Sequence, residues 1–307
     1  MELIRGLHNV APRHRGCALT VGNFDGVHLG HQAIVRQLRA EAAGLPTTLM
    51  IFEPHPLEFF RGDNAPLRLT GLAEKLLRLR ATGIDRVLLV RFTAGFGALA
   101  PREFIDEVLA ARLGVRLVVV GDDFRFGAKS AGDFTLLTEC AAPHGFRVAR
   151  HETFELDGER VSSSRVRKCL EAGDLRGAEA LLGATYNIQG RVAYGRQLGR
   201  TIGFPTANVR LDGIRPPICG VFAVRVDMNG EQLAGVANVG RRPTVVGEDV
   251  QLEVHLFNFN RSIYGQRIRV ELVERLRPER KFESLDALKV QIARDAAGAR
   301  RLLGVDR

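Results

Sequence analysis

The stretch Leu19-Thr-Val-Gly-Asn-Phe-Asp-Gly-Val-His-Leu-Gly-His-Gln32 decides the fold of the first half of the chain. A short apolar run passes through glycines into two histidines, and apolar residues at helical spacing follow from Ile34. We therefore expect a strand, a loop and a helix that begins near Gly30. Unpaired N–H groups and the positive dipole end at a helix start favour a phosphate, which His28 and His31 can both face. The order of elements predicts a polyphosphate site, against the simpler alternative of an ordinary surface turn.

The residues that follow alternate between strand-like and helical patterns. Apolar, β-branched runs occupy residues 47–52, 87–92 and 116–120, and helical spacing occupies residues 71–81 and 101–113. This alternation predicts an α/β domain with a doubly wound parallel sheet, whose ligand binds beyond the carboxyl ends of the strands. Two motifs follow strands at that end, although each alone could be a plain turn: Ile51-Phe-Glu-Pro-His-Pro56 and Gly121-Asp-Asp-Phe-Arg-Phe-Gly127.

The pattern changes near residue 184 from alternating helix and strand to strands alone, so we place the domain boundary between residues 184 and 185. Asp227-Met-Asn-Gly230 separates two strand-like runs, and Asn-Gly in this position is a strong hairpin signal. Further strand-like runs at 252–257 and 268–272 precede a helical pattern at 285–303. The second domain is therefore predicted to be a small antiparallel β-barrel with a C-terminal helix.

Composition restricts the class of protein. The 307 residues suffice for two domains, and 45% hydrophobic and 26% charged residues are typical of a globular chain. The net charge of +9 attracts anions, but the arginines are spread along the chain, which favours nucleotide phosphates over nucleic acid. No apolar run has the length of a membrane span and no CxxC pair suggests zinc. We expect a cytoplasmic protein that needs no nucleic acid, membrane or obligatory protein partner.

The segment Gly22-Asn-Phe-Asp-Gly-Val-His-Leu-Gly-His31 resembles the HxGH-type signature of the nucleotidylyltransferase superfamily. Its Phe-Asp-Gly form is similar to that of bacterial FAD synthetases, the bifunctional riboflavin kinase/FMN adenylyltransferases. Val161-Ser-Ser-Ser-Arg-Val-Arg167 resembles the second phosphate-binding signature of the superfamily, and Pro205-Thr-Ala-Asn208 resembles the signature of riboflavin kinases. The resemblance extends from about residue 22 to residue 282 and follows the order of motifs in the family.

This resemblance implies two activities on one chain. The domain of residues 185–307 would transfer the γ-phosphoryl group of ATP to riboflavin and give FMN. The domain of residues 1–184 would then transfer AMP from a second ATP to FMN and give FAD and pyrophosphate. The implied partners are riboflavin, FMN, FAD and ATP as co-substrate, with Mg²⁺ as the cofactor.

The resemblance also assigns residues to these activities, and the residue types fit the chemistry. The ATP and phosphate contacts of the first domain would be Gly22, Asn23, Phe24, Asp25, Gly26, His28, His31, Ser164, Arg165 and Arg167. The flavin contacts would be Asp123, Phe124, Phe126, Gly127 and Arg242. In the second domain, Gly203, Thr206 and Asn208 would bind ATP, with Thr206 and Asn208 as oxygen ligands of Mg²⁺. The catalytic residues would be His28, His31 and Glu253.

Each assignment has a simpler alternative. Serines at a helix start are first read as caps, and Pro-Thr and Asn also form turns. A carboxylate such as Glu253 in an apolar strand is costly without a partner or a task, but it commonly just points to solvent. The chain also departs from the family pattern at Val254, Asn258 and Ser262, where Thr, Asp and Asp are usual.

Three other functions are compatible with parts of this pattern. The chain could be a riboflavin kinase only, with a degenerate or differently specific nucleotidylyltransferase domain. It could be a nucleotidylyltransferase for another phosphate ester, against which the Pro-Thr-Ala-Asn segment argues. A basic nucleic-acid-binding regulator is the third, and it would bind RNA or DNA in a salt-dependent way without turnover.

Overall fold

The computed structural model describes residues 1–194, 203–211, 214–244 and 247–305, and the side chains at 241–249 lie outside that description. The chain divides into two compact units. The first unit comprises Met1–Pro66 and Lys75–Ser162, and the second comprises Leu67–Glu74 and Ser163–Arg307.

The first unit is built on a parallel sheet. Its strands are β1 (Glu2–Arg5), β2 (Ala18–Val21), β3 (Thr47–Glu53), β4 (Arg86–Arg91), β5 (Leu117–Gly121) and β6 (Arg147–His151). They lie side by side in the order β1-β4-β3-β2-β5-β6, and every pairing is parallel. β2 has β3 on one side and β5 on the other, so the point at which the order reverses lies beyond its carboxyl end. The predicted doubly wound α/β domain is confirmed, with two edge strands, β1 and β6, that the sequence pattern did not predict.

Helices connect these strands. They are α1 (Leu29–Glu41), α2 (Pro56–Arg61), α3 (Leu72–Ala81, of which Lys75 onward belongs to this unit), α4 (Ala94–Gly97), α5 (Pro101–Glu103, continued as a π-helix over Phe104–Arg112) and α6 (Phe134–His144). A short hairpin of β7 (Glu155–Leu156) and β8 (Glu159–Arg160) follows the sheet. Central strands are buried on both faces, since Leu19, Met50 and Val118 are fully inaccessible to solvent. Continuous apolar runs are typical of such strands.

The second unit contains a closed barrel. Its elements are α7 (Ser163–Ala172), α8 (Leu175–Leu182), β9 (Asn187–Ala193), β10 (Ala207–Arg210), β11 (Gly220–Met228), β12 (Glu231–Thr244), β13 (Gly247–Leu256), β14 (Arg267–Arg277) and α9 (Leu285–Leu303). The strands pair antiparallel in the order β10-β13-β12-β11-β14-β9 and close on themselves. The predicted Asn-Gly hairpin joins β11 to β12, with Asn229 and Gly230 at φ 55° and 88°. The barrel and its C-terminal helix are therefore confirmed.

Two buried carboxylates stabilise the arrangement of the second unit. Asp295 of α9 binds the Arg277 guanidinium of β14, with 2.9 Å from Nε to Oδ2. Glu74 accepts hydrogen bonds from Asn187, at 3.1 Å, and from Gln189, both on β9. The hydrogen bonds of Glu74 with β9 join the short segment Leu67–Glu74 to the barrel. No helix within the described ranges combines the length and the apolar character that a membrane crossing requires.

Candidate active sites

The loop after β2 and the start of α1 form the first candidate site. His28 is the N-cap of α1, and its Nδ1 accepts a hydrogen bond from the backbone N–H of His31 at 3.3 Å. The two imidazole rings stack with 3.6 Å between centroids, and the Phe24 ring lies 4.6 Å from that of His31. Phe24 and Val27 both have left-handed φ values, of 49° and 46°. Such strained residues cluster at functional sites, where the surrounding contacts hold them.

Gly30 allows the helix start to pack closely. A Cβ atom at this position would lie 3.1 Å from the Val161 carbonyl oxygen and 3.2 Å from Nδ1 of His28. Any larger residue would therefore displace either the Val161 backbone or the capping imidazole. The predicted helix start near Gly30 agrees with the observed one at Leu29, and His28 takes the position that Ser or Asp usually occupies at an N-cap.

The electrostatics of this site keep His31 uncharged. Burial, followed by the charges of His28, Lys75 and Arg160, holds the pKa of His31 well below its usual range. Its Nδ1 is shielded from solvent and has no hydrogen-bond partner among the described residues. A buried polar atom without a partner is costly unless a ligand satisfies it. The nearby cations that disfavour the imidazolium favour an anionic ligand at the same place.

Arg160 connects the helix start to the loop after β5. Its Nη2 lies 2.7 Å from Oδ2 of Asp123, and its charge also acts on His31. In the same loop the Phe124 ring stacks on that of Phe126 at 5.4 Å. Phe126 is buried in the core, and a Cβ at Gly127 would lie 2.8 Å from Cα of Pro101. Phe126 and Gly127 therefore shape the loop by packing, whereas Asp123 is exposed and Phe124 is half-buried.

An exposed aromatic surface follows the ends of β3 and β4. His55 caps α2 by accepting a hydrogen bond from the Leu57 N–H at 3.1 Å. Phe59 and Phe60 of α2 both contact the Phe92 ring, at 5.5 and 5.6 Å, and Phe60 is 64% exposed. These phenylalanines were not predicted as site residues. Their only signal was an apolar pair directly after the motif at residues 51–56.

The segment that resembles the second phosphate-binding signature lies in the second unit, at the start of α7. Ser164 is exposed in the first turn of the helix, and Arg165 is half-buried. Arg167 donates from Nε to the Leu67 carbonyl oxygen at 2.6 Å. Arg167 therefore fixes the segment before α3 in addition to any role toward a ligand.

A row of polar side chains crosses three neighbouring barrel strands. Glu253 of β13 lies directly opposite Asn208 of β10 on one side and Asn238 of β12 on the other. Partners at such positions share a face of the sheet, with Cβ atoms about 5 Å apart. Leu252 and Val254 are only 1% exposed, so the row with Glu253 lies on the outer face of the barrel. The candidate base and a candidate metal ligand are thus neighbours.

Asn238 extends this row to the chain that follows β14. Its Nδ2 donates to Oε1 of Glu279 at 3.3 Å. A Cβ atom at Gly240 would collide with Glu279 Oε1 and lie 3.0 Å from Asn238 Nδ2, so the glycine leaves room for this contact. No role was predicted for Asn238, because strand register cannot be deduced from spacing along one strand.

His255 holds the Pro-Thr-Ala-Asn segment against β13. Its Nδ1 donates to the Pro205 carbonyl oxygen at 2.8 Å, and its ring contacts Phe204 and Phe257 edge-on, at 5.4 and 5.8 Å. Burial lowers the pKa of His255 despite the opposing effect of this hydrogen bond. A neutral imidazole therefore fixes the residue just before Thr206. Gly203, two residues earlier, has φ 83°, which a residue with a side chain rarely adopts.

Two residues that depart from the family pattern, Val254 and Asn258, lie in different surroundings. Val254 points into the barrel, away from the row of Glu253. Asn258 has φ 52° and accepts a hydrogen bond from Arg300 of α9 at 3.2 Å. The side chain of Arg242, a predicted flavin contact, lies outside the described residues, as does the glycine-rich segment 195–202.

Known proteins match the whole chain. A family model for FAD synthetase matches residues 10–165, and one for riboflavin kinase matches residues 182–303. The curated bifunctional riboflavin kinase/FMN adenylyltransferase of Escherichia coli K12 is 50% identical over 99% of both chains, and that of Pseudomonas fluorescens is 48% identical over 98% of both. A crystal structure described as a macrolide-efflux protein from Streptococcus pneumoniae has a TM-score of 0.83 and 29% identity, covering 98% of this chain and 99% of that one. By identity along its full length, the chain belongs to the family of bifunctional riboflavin kinase/FMN adenylyltransferases.

Proposed function

We propose that this chain makes FAD from riboflavin in two ATP-dependent steps. The barrel phosphorylates riboflavin to FMN, and the N-terminal domain adenylylates FMN and releases pyrophosphate. The observation that carries the proposal is the full-length match to enzymes with both activities. The capped histidine pair and the row around Glu253 support it, because each suits one of the two reactions. The functional domains are residues 1–184 and 185–307, and the enzyme works in the cytoplasm.

Riboflavin phosphorylation requires removal of a proton from a primary alcohol. Glu253 accepts this proton, and its cross-strand neighbour Asn208 lies close enough to align the phosphate donor with it. The Thr206 hydroxyl and the Asn208 amide oxygen are hard donors that fit Mg²⁺ together with ATP phosphates. When bound, Mg²⁺ neutralises phosphate charge. Gly203 lets the backbone approach the ATP, and Arg242 contacts the flavin.

Adenylyl transfer to FMN needs no strong base, because the attacking phosphate is already ionised near neutral pH. Its obstacle is repulsion between two anions. His28 and His31 donate hydrogen bonds to the triphosphate at the helix start, as neutral imidazoles can, and the loop residues Gly22 to Gly26 surround it. The resemblance also assigns Ser164, Arg165 and Arg167 as phosphate contacts, and these residues belong to the second unit.

The flavin of FMN requires a flat apolar contact and polar groups at its edge. Asp123 and Phe124 supply contacts at the end of β5, in a loop that Phe126 and Gly127 hold in shape. The exposed Phe60 ring offers a further stacking surface at the end of β3.

The test is to incubate the purified chain with riboflavin, ATP and Mg²⁺ and to separate the flavins by chromatography. We expect FMN first and FAD later, without added nucleic acid, membrane or protein. FMN alone would leave a riboflavin kinase with a degenerate N-terminal domain. Salt-dependent nucleic-acid binding without turnover would favour the regulator instead.

A further inference from the structure

Lys75 is a buried lysine beside the first candidate site. It lies on α3, its relative exposure is 3%, and its Nζ donates to the Asn23 carbonyl oxygen at 2.8 Å. Lysine is almost never this buried unless its ammonium group is paired and hydrogen-bonded, because removing the charge from water is costly. A fold that keeps a lysine here retains a positive charge under the loop that leads to His28.

The contact of Lys75 reaches the histidines through the loop backbone. Gly22 N–H donates to the Met50 carbonyl oxygen at 3.1 Å, which fixes the start of the loop to β3. Asn23, held by Lys75, directly precedes Phe24, whose left-handed backbone places its ring against that of His31. Lys75 thus holds the residue before the strained position, and a shift of Asn23 would move Phe24.

The charge of Lys75 also acts on the site. After burial and the charge of His28, it is the next cause that lowers the pKa of His31. The ammonium group is therefore within electrostatic reach of the imidazole. In a shielded site, the same charge attracts a polyphosphate more strongly than it would in water.

We propose that Lys75 is a positioning residue for adenylyl transfer, which fixes the loop between Gly22 and Val27 and adds a buried positive charge beneath the ATP phosphates. The inference rests on the proposed adenylyltransferase activity. Lys75 acts through the Asn23 backbone and through the field at His31, and it takes no proton in the reaction.

The first experiment measures FAD formation from added FMN in the full chain. Lys75→Met keeps the aliphatic stem and removes both the donor and the charge. We expect kcat/KM for ATP to fall about 10²-fold, the size typical of misplacing a reacting group by about 1 Å. Riboflavin phosphorylation in the same preparation should be unchanged. Arg80→Met is the matched control, because it removes an exposed cation from the same helix, and it should leave both activities unchanged.

The second experiment follows the imidazole of His31 by NMR titration of the ligand-free protein, with His31→Gln to assign the signal. Lys75→Met should raise the pKa of His31, since one of the charges that lower it is gone. Lys75→Arg retains the charge but cannot reproduce the single Nζ donor. It should keep the pKa of His31 low and reduce FAD formation by only about tenfold.

The outcomes separate this inference from the proposed function. Failure of the wild-type chain to make FAD would refute the adenylyltransferase activity itself. Normal FAD formation by the wild type and by Lys75→Met, an unchanged pKa of His31, or equal loss of both activities would each overturn the role of Lys75. Should Lys75→Met not fold, Lys75→Arg decides: a selective loss of FAD formation supports the role, and unchanged FAD formation overturns it.

Discussion

We propose that the helix-start site and the barrel row handle phosphate chemistry by opposite means. At the helix start, stacked histidines and a buried lysine lie around a shielded position. Burial, together with the nearby charges, holds the pKa of His31 well below its usual range. In the barrel, a carboxylate stands between two carboxamides on an outer strand face. The first arrangement accommodates negative charge and the second can accept a proton. The difference corresponds to the two nucleophiles, since an FMN phosphate is already an anion whereas a riboflavin hydroxyl is not.

The largest expected effect tests the carboxylate half of this comparison. Glu253→Gln keeps the size and hydrogen-bonding reach of the side chain but cannot accept a proton, so FMN formation should fall by roughly 10²- to 10⁴-fold. FAD formation from added FMN should persist. Rates of both reactions measured on one preparation give the answer.

Glu274→Gln is the matched control for this prediction. Glu274 lies on β14, which does not pair with β13 in the barrel, and it should tolerate the change. Full riboflavin phosphorylation by a folded Glu253→Gln variant would mean that the base lies elsewhere or that substrate-assisted proton transfer suffices.

The helix-start half is tested by His28→Ala and His31→Ala. Each removes a preorganised group at the developing charge, so FAD formation should fall by about 10²-fold or more while FMN formation is retained. His144→Ala, which removes an exposed histidine paired with Asp106, should change neither rate. Unchanged FAD synthesis in both site variants would mean that the two histidines contribute to packing and not to adenylyl transfer.

A metal titration sharpens the comparison within the barrel. Asn208→Ala and Thr206→Ala remove oxygen donors, so the Mg²⁺ or ATP concentration for half-maximal FMN formation should rise by about tenfold, as for groups that support metal binding. Glu253→Gln should leave that concentration nearly unchanged, because it affects a later step. Equal metal requirements in all variants would argue against Thr206 and Asn208 as ligands.

The smallest effect concerns stability and pH. Because the pKa of His31 in the folded chain lies below its ordinary value of 6.5, the unfolded state binds more protons at mildly acidic pH. The contribution of neutral His31 to the free energy of unfolding should therefore be fully present above pH 6.5. It should decrease as the pH falls below that value, by at most about 1.4 kcal/mol per pH unit for one group. Thermal unfolding at pH 7.5 and 5.5 should show a smaller decrease for His31→Asn than for the wild type. An equal decrease would assign the pH dependence to other groups, such as His151, whose pKa burial also lowers.

The features that could be predicted from the sequence are those set by residues close together along the chain. The strand, loop and helix around His28 and the Asn229-Gly230 hairpin are local, because backbone preferences and spacing determine them. The edge strands β1 and β6 were missed, since both are short and carry charged residues such as Glu2 and Arg147. Polar edge strands do not show the apolar run of a central strand.

Contacts between distant segments could not be predicted in this way. Asn238 joins Glu253 only through strand register, and the His255 contact with Pro205 spans 50 residues. Lys75 lies on an amphipathic helix, where a lysine is normally solvated, and no local pattern marks it as buried. Motif resemblance identified Glu253 and the segment Pro205–Asn208, whereas their contacts with Asn238 and His255 depend on the folded chain.

Mixing two single-site variants tests most directly whether one chain carries two separate active sites. Glu253→Gln should retain adenylyl transfer and His31→Ala should retain the kinase, so neither alone should make appreciable FAD from riboflavin. An equimolar mixture with riboflavin, ATP and Mg²⁺ should restore FAD formation, because FMN released by one variant is the substrate of the other. Loss of both activities in each variant, with no FAD from the mixture, would contradict the account.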